Sequence, residues 1–249
     1  MIEIKKTLFT HRLFADRLSW SDLFWPRCYF GYRGDSEKIP FYYHVTKGQT
    51  AVTDLTLTLD ELLALMKSNT RNEIRRAIKE GCTFEAGHDY EAFIPYYNAF
   101  CESKGLGDRV YMDRLTRYKG DNELLITKAL HEGTVLAMHA TVVNRKHKLA
   151  YLILSCSQRL GAGADAKLIG WGNRYLHDKD FEKLKELGIE EYDWSGICTD
   201  PHDERYSIGQ FNLSFGGNRI PSNTVASPLY VLLAYLRGKW IKLKTRRHD

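Results

Sequence analysis

The sequence predicts an α/β (α+β) fold, a mixed and mostly antiparallel sheet flanked by helices. Three observations carry this. Helical periodicity holds over about residues 59–103. Three β-rich runs then follow one another directly, from 123 to 155. A long helical run over about 165–187 separates them from one further short strand. The 249 residues are 43% apolar and 27% charged, the balance of an ordinary globular protein. A chain of that length buries roughly 70–75% of its unfolded surface, so no disulfide or metal staple is required. Disordered, collagenous and disulfide-dense classes are excluded. No stretch reaches 18 consecutive apolar residues, so no membrane span is expected. Met1–Lys6 has no apolar leader core, which points to the cytoplasm.

Each element has its own signals. A helix is expected from Leu59 to Glu80. Thr58 and Glu61 form a capping box, Leu59, Leu62, Leu63, Met66, Ile74, Ala77 and Ile78 form one stripe, and Gly81 stops it. A second helix runs from Tyr90 to Ser103, with Phe93, Tyr97 and Phe100 inward and Gly105 after it. The strands are Glu123–Leu130, Thr134–Val143 and Leu149–Ser155, joined by His131–Gly133 and Asn144–Lys148. The helix from about Asp165 to Leu187 ends at Gly188. Ile189–Trp194 is a short strand, Arg205–Phe215 a helical turn ending at Gly216-Gly217, and Leu229–Leu243 an amphipathic segment. No linker or repeat divides the chain. One domain over 1–249 is therefore expected, with an N-terminal extension over about 1–50 and a basic helix over about 225–249.

The net charge is +5. The surplus is concentrated at Arg237, Lys239, Lys242, Lys244, Arg246 and Arg247, read either as a solvated helix face or as a contact for a phosphate ligand, a membrane surface or RNA. Five cysteines at 28, 82, 101, 156 and 198 lack metal spacing. They read as reduced thiols, with Cys156 and Cys198 close enough to the motifs below to be weighed as nucleophiles. No metal is expected.

The loop Gln158-Arg159-Leu160-Gly161-Ala162-Gly163-Ala164 lies between the third strand and the long helix. Its glycines allow a backbone to approach a bulky anion, and the first amides of the helix would face it. A pyrophosphate suits that arrangement; a plain strand-to-helix turn also explains the glycines. A dinucleotide fingerprint needs three glycines near a first strand, whereas only two occur here and they follow the third, and the Gly-Lys-Ser/Thr of a P-loop is absent.

With this loop the sequence resembles the Gcn5-related N-acetyltransferase superfamily, whose coenzyme A loop has the form R/Q-x-x-G-x-G/A. Three further stretches resemble its Fem-like peptidyltransferase subgroup. These are Arg71-Asn-Glu-Ile74-Arg75-Arg-Ala77-Ile-Lys-Glu-Gly81, Asp193-Trp-Ser-Gly196 and Phe211-Asn212-Leu-Ser-Phe215-Gly216-Gly217, in order over about 50–225. Asn212 stands where the family carries Lys, so that cation's role does not transfer. The family often has two tandem domains and a coiled-coil arm; this chain has room for one domain and no heptad arm. The resemblance then implies the acyl-coenzyme A N-acyltransferase (GNAT) fold and an acyl-coenzyme A donor bound by residues 158–164. It is closest to single-domain bacterial N-acyltransferases of amino sugars for surface polysaccharide, so the acceptor implied is a small amine, a nucleotide-linked amino sugar.

Attack of a neutral amine on a thioester needs a proton acceptor, an oxyanion donor and a leaving-group acid. Asp193, closing a strand, is a candidate base or acceptor anchor, or a structural carboxylate. His139, mid-strand, is a candidate base or a satisfied core histidine. Tyr206 opens the segment where the family often carries its acid. Ser155, Ser195 and His202 are candidate acceptor contacts. Arg71 and Arg75 share a helix face able to grip a diphosphate, or simply a solvated one. The N-terminal aromatics Trp20, Phe24, Trp25, Tyr29, Tyr42 and Tyr43 read as core, or as a stacking surface for a base or sugar. Two other readings stay open: an aminoacyl-tRNA-dependent peptidyltransferase of cell-wall precursors, and a non-catalytic binding module on the same fold.

Overall fold

The computed structural model describes residues 2–5, 8–118, 122–157 and 165–245, with side chains to residue 238. In chain order the elements are β1 (Ile2–Lys5), β2 (Thr10–Leu13), β3 (Arg27–Tyr32), β4 (His44–Thr46), β5 (Gln49–Asp54), α1 (Leu59–Leu65), α2 (Ser68–Lys79), β6 (Thr83–Gly87), α3 (Tyr90–Ser103), α4 (Met112–Leu115), β7 (Asn122–His131), β8 (Thr134–Asn144), β9 (Leu149–Ser157), α5 (Ala166–Glu186), β10 (Glu191–Ile197), α6 (Tyr206–Leu213), β11 (Asn218–Pro221), β12 (Asn223–Ala226) and α7 (Pro228–Thr245). Two compact units result. One joins Met1–Thr50 to Ile220–Asp249; the other is Ala51–Arg219.

The larger unit is built on a seven-stranded sheet in the order β11-β5-β10-β9-β8-β7-β6. The β6–β7–β8–β9 run is antiparallel, and β10 joins β9 in parallel, a pairing that needs a crossover connection such as α5 provides. Glu132 (φ 48°) and Gly133 (φ 76°) make the left-handed turn between β7 and β8. The core joins Leu62, Met66, Ile74, Phe181, Tyr192, Trp194 and Phe215, all buried. A second cluster under β8 includes Leu136, Ala137, Ile169 and Leu176. Gly172 lets α5 close onto this face, since a Cβ there would stand 2.6 Å from Leu136 Cδ1.

The helix expected over 59–80 is two helices. The capping box at Thr58 forms as read, with Glu61 N–H donating to Thr58 Oγ1 and Thr58 N–H to Glu61 Oε2. Met66 (ψ 147°) and Lys67 (ψ 145°) are then extended, and α2 restarts at Ser68. Met66 is apolar and buried, so the stripe continues through the break; what terminates α1 is the capture of its carbonyls by Arg71. Arg71 Nη1 donates to Leu63 O, Ala64 O at 3.1 Å and Met66 O.

The smaller unit holds a five-stranded sheet, β1-β2-β3-β12-β4. Residues expected as an extension thus pair with the strand at 223–226. Its centre is Tyr29, Tyr32, Tyr43, Ala15 and Val225. The buried carboxylate of Asp22 accepts from Arg27 Nη1 at 2.5 Å, from Tyr43 Oη at 2.8 Å, from Ser19 N and from Tyr29 Oη. Burial and this carboxylate push the Tyr29 phenol up to about 12. The N-terminal aromatics therefore divide. Tyr29 and Tyr43 are core as expected, whereas Trp20, Phe24 and Trp25 are exposed, because the Asp22 cluster holds their short 3-10 turn (Trp20–Leu23) with Asp22 inward.

Candidate functional site between two parting strands

β9 and β10 pair at Leu149, Ala150 and Tyr151 against Glu191, Tyr192 and Asp193. Beyond those three the described strands share no further pair, while β9 stays paired to β8 as far as Ser157. The strands part into a cavity of about 750 Å³, a size suited to a small ligand or to the reactive end of a larger one. Its walls are Leu152–Ser157 of β9, Trp194–Gly196 of β10, Asn173, Arg174 and His177 of α5, Asn69 and Thr70 of α2, and Gln210–Asn212 of α6. One edge of β9, with its backbone amides and carbonyls, thereby faces a ligand space rather than a strand.

Among the described residues no Asp or Glu lines the cavity, whereas Lys67 and Arg174 do. Arg174 Nη1 lies 2.9 Å from Glu73 Oε2, and its guanidinium sits 4.9 Å from the Phe211 ring centroid. The walls thus favour anionic or electron-rich groups.

α5 sets three polar residues on one face by its 3.6-residue period: Asn173, His177 and Asp180. They meet His139 of β8. His139 Nδ1 lies 2.6 Å from Asp180 Oδ2, and Nε2 lies 3.1 Å from Asn173 Oδ1. Both ring nitrogens of His139 are engaged, and its side chain is fully buried behind the wall. The His177 ring lies 4.1 Å, centroid to centroid, from that of His139 and 4.6 Å from that of Trp194, tilted against both. Its Nδ1 is buried with no hydrogen-bond partner among the described residues. Burial, then His139, then Arg174, hold the His177 imidazolium well below the usual histidine range. A neutral imidazole therefore stands in the cavity wall. His139, His177 and Asp180 offer ligand atoms within 4.8 Å of one another. They are the residues that could hold a metal ion, though one would compete with the His139–Asp180 hydrogen bond.

The other expected site residues fall unevenly around the cavity. Ser155 and Ser195 line it. Ser195 is strained, at φ 74°, its Oγ 3.1 Å from Tyr151 Oη. Asp193 is buried just behind it and accepts the Ser195 N–H at 2.9 Å, which holds that backbone turn. Tyr206 is half-buried at the start of α6, and its neighbour Ser207 is the lining residue. His202 is exposed, with its N–H on Asp200 Oδ1. Arg71 is occupied on the α1 carbonyls, and exposed Arg75 contacts Asn72 Oδ1 at 3.4 Å; neither lines the cavity. Cys156 does line it, but burial pushes its thiol upward, and it donates to Met138 O. Cys198 is half-buried.

Residues 158–164 lie outside the described residues. The expectation that the first amides of the following helix are open needs correction. Asp165 caps α5, its Oδ1 accepting from Lys167 N at 2.8 Å and Leu168 N at 3.1 Å, so two of those donors are already satisfied by a carboxylate.

His177, Asn173 and Asp180 were missed in sequence because helix periodicity alone reads them as polar positions on a long helix. The signal available was their i, i+4, i+7 spacing, which places three polar groups on the face that the apolar residues also claim.

Protein-family models and curated proteins give no match to the chain. Solved structures do. The C-terminal domain of a putative lysylphosphatidylglycerol synthetase from Agrobacterium fabrum is similar with a TM-score of 0.62 at 13% identity, over 94% of this chain and 84% of that one. L-PGS from Bacillus licheniformis gives 0.57 at 14%, over 95% and 85%. FemX gives 0.56 at 14%, over 70% and 61%. Such identities speak to fold. The chain shares the fold of these proteins.

Proposed function

We propose that the chain transfers an acyl group from acyl-coenzyme A to the amine of a small acceptor, a nucleotide-linked amino sugar, in the cavity between β9 and β10. The parting of these two strands after Tyr151 and Asp193 carries the reading. An extended pantetheine arm can lie along the open edge of β9 as an added strand would. The carbonyl oxygen can accept from a β9 backbone N–H, which remains in place as the tetrahedral oxyanion forms. The amine nitrogen attacks the carbonyl carbon, and its proton passes to the neutral imidazole of His177. The carbon–sulfur bond then breaks as the carbonyl re-forms, and the proton that His177 took passes to the thiolate, a return that the burial disfavouring the imidazolium promotes. His139, fixed between Asp180 and Asn173, positions His177 by ring contact. Lys67 and Arg174 favour the phosphates of donor or acceptor.

The test is a panel of acyl-coenzyme A donors against aminated nucleotide sugars with a free-thiol readout. Acceptor-dependent thiol release, lost in Ser155→Trp, supports the reading. No release above the donor-only rate across the panel counts against it.

A second reading is aminoacyl transfer to a lipid or peptide acceptor. Two observations favour it. One solved structure, similar over 94% of this chain, is named as the C-terminal domain of a putative lysylphosphatidylglycerol synthetase, and Asp165 occupies amides that a pyrophosphate would use. Transfer from aminoacyl-tRNA to phosphatidylglycerol or a cell-wall precursor, without thioester turnover, would favour this reading.

A further inference from the structure

The geometry points to a face of the smaller unit that docks on an anionic lipid surface, independently of which donor the larger unit uses. The first observation is apolar exposure in one place. In the turn after β2, Trp20 is 78% exposed, Phe24 69% and Trp25 58%, with Leu23 beside them. α7 packs against this same turn and against β3. It turns Leu232, Tyr235 and Leu236 outward, each at least half exposed. Two adjacent apolar strips are thus presented to solvent, where isolated exposed residues would need no explanation.

The second observation is that the turn is built to stay there. Asp22 lies between Trp20 and Phe24 in sequence and is fully buried. It is tied to Arg27, Tyr43, Tyr29 and its own turn at Ser19. Four partners lock the Asp22 side chain inward, which holds the aromatic side chains outward at the cost of no further ordering on docking.

The third observation is charge. The smaller unit carries fourteen Lys and Arg against six Asp and Glu, a net +8; the larger carries 22 against 25, a net −3. The whole positive surplus belongs to the unit with the exposed apolar face. Six of those cations follow Leu236 in sequence. Trp, Tyr and Leu with flanking Lys and Arg are the composition of a segment that lies in a bilayer interface. α7 is not apolar enough to cross it: no helix among the described residues meets that condition. Nucleic acid would use the cations but gain nothing from exposed Leu23, Leu232 and Leu236, and a second copy would bring +8 against +8.

The full chain is mixed with sucrose-loaded vesicles of phosphatidylcholine, with or without about one-third phosphatidylglycerol, and sedimented. Binding to the anionic vesicles only, weakened at about 0.5 M NaCl, is expected, with a blue shift of tryptophan emission. Phe24→Ser with Trp25→Ser, and separately Leu232→Ser with Leu236→Ser, should each weaken binding at least about tenfold. These residues are exposed, so the thermal midpoint should not fall, which separates lost docking from lost folding. Equal binding to neutral vesicles, or binding unchanged in both double variants, overturns the proposal. So does a concentration-dependent dimer or a tRNA complex that the same variants abolish while vesicles never bind.

Discussion

At the scale of single residues, His177 is the group to which the proposed reaction assigns the amine proton, and its burial gives it a thermodynamic signature. The folded chain holds it neutral well below the usual histidine range, whereas the unfolded chain protonates it near pH 6.5. Below that pH the unfolded state binds a proton that the folded state refuses, so stability is full above about 6.5 and is lost as the pH falls, by up to about 1.4 kcal/mol per pH unit. Urea titrations at neutral and mildly acidic pH should show this slope, and His177→Gln should flatten it. The same variant should lower kcat by about 10²-fold or more with KM little changed. Asp22 gives a second residue-scale prediction. Asp22→Asn removes a buried charge from Arg27 and two tyrosines and should cost about 3 kcal/mol in a urea titration. Of this pair of sites the sequence revealed little: His139 stood out as a polar residue in an apolar strand, but its partners lie 34 and 41 residues away on α5, and no local pattern spans that distance.

At the scale of elements, local signals were legible where one segment decides its own structure. The Thr58–Glu61 capping box, the turn at Glu132–Gly133 and the stops at Gly81 and Gly188 all form. Thr58→Ala should cost about 1 kcal/mol of stability for that reason. What failed was decided by other elements. The break between α1 and α2 keeps the apolar stripe in register, so periodicity could not see it; it depends on the Arg71 side chain reaching back to the α1 carbonyls. The parting of β9 from β10 is equally invisible, since where the pairing stops is decided between two strands about forty residues apart and neither strand's own residues record it. The Phe215-Gly216-Gly217 stretch was recognisable as a motif, and the structure supplies its reason. Gly216 has φ 84°, and a Cβ there would stand 2.6 Å from Leu65 Cβ and 3.0 Å from the Leu65 carbonyl. Gly216→Ala should therefore cost about 2–3 kcal/mol, read as a lowered urea midpoint at unchanged slope.

At the scale of the whole molecule, the order of helical and β-rich runs pointed to a mixed α/β class, and that is the class the chain adopts. It did not reveal that residues 1–50 join the last thirty in a sheet of their own, because those strands are three to six residues long and pair across nearly the whole sequence. Net charge of the chain likewise hid its uneven division between the units. The central claim is that the cavity where β9 and β10 separate receives the acyl donor. Isothermal titration of acetyl-coenzyme A into the full chain and into Ser155→Trp tests it most directly. One site with a micromolar-to-millimolar Kd, weakened at least about tenfold in Ser155→Trp, is the result expected. Absence of heat in the native chain, or the same affinity with a tryptophan filling the cavity, would contradict it.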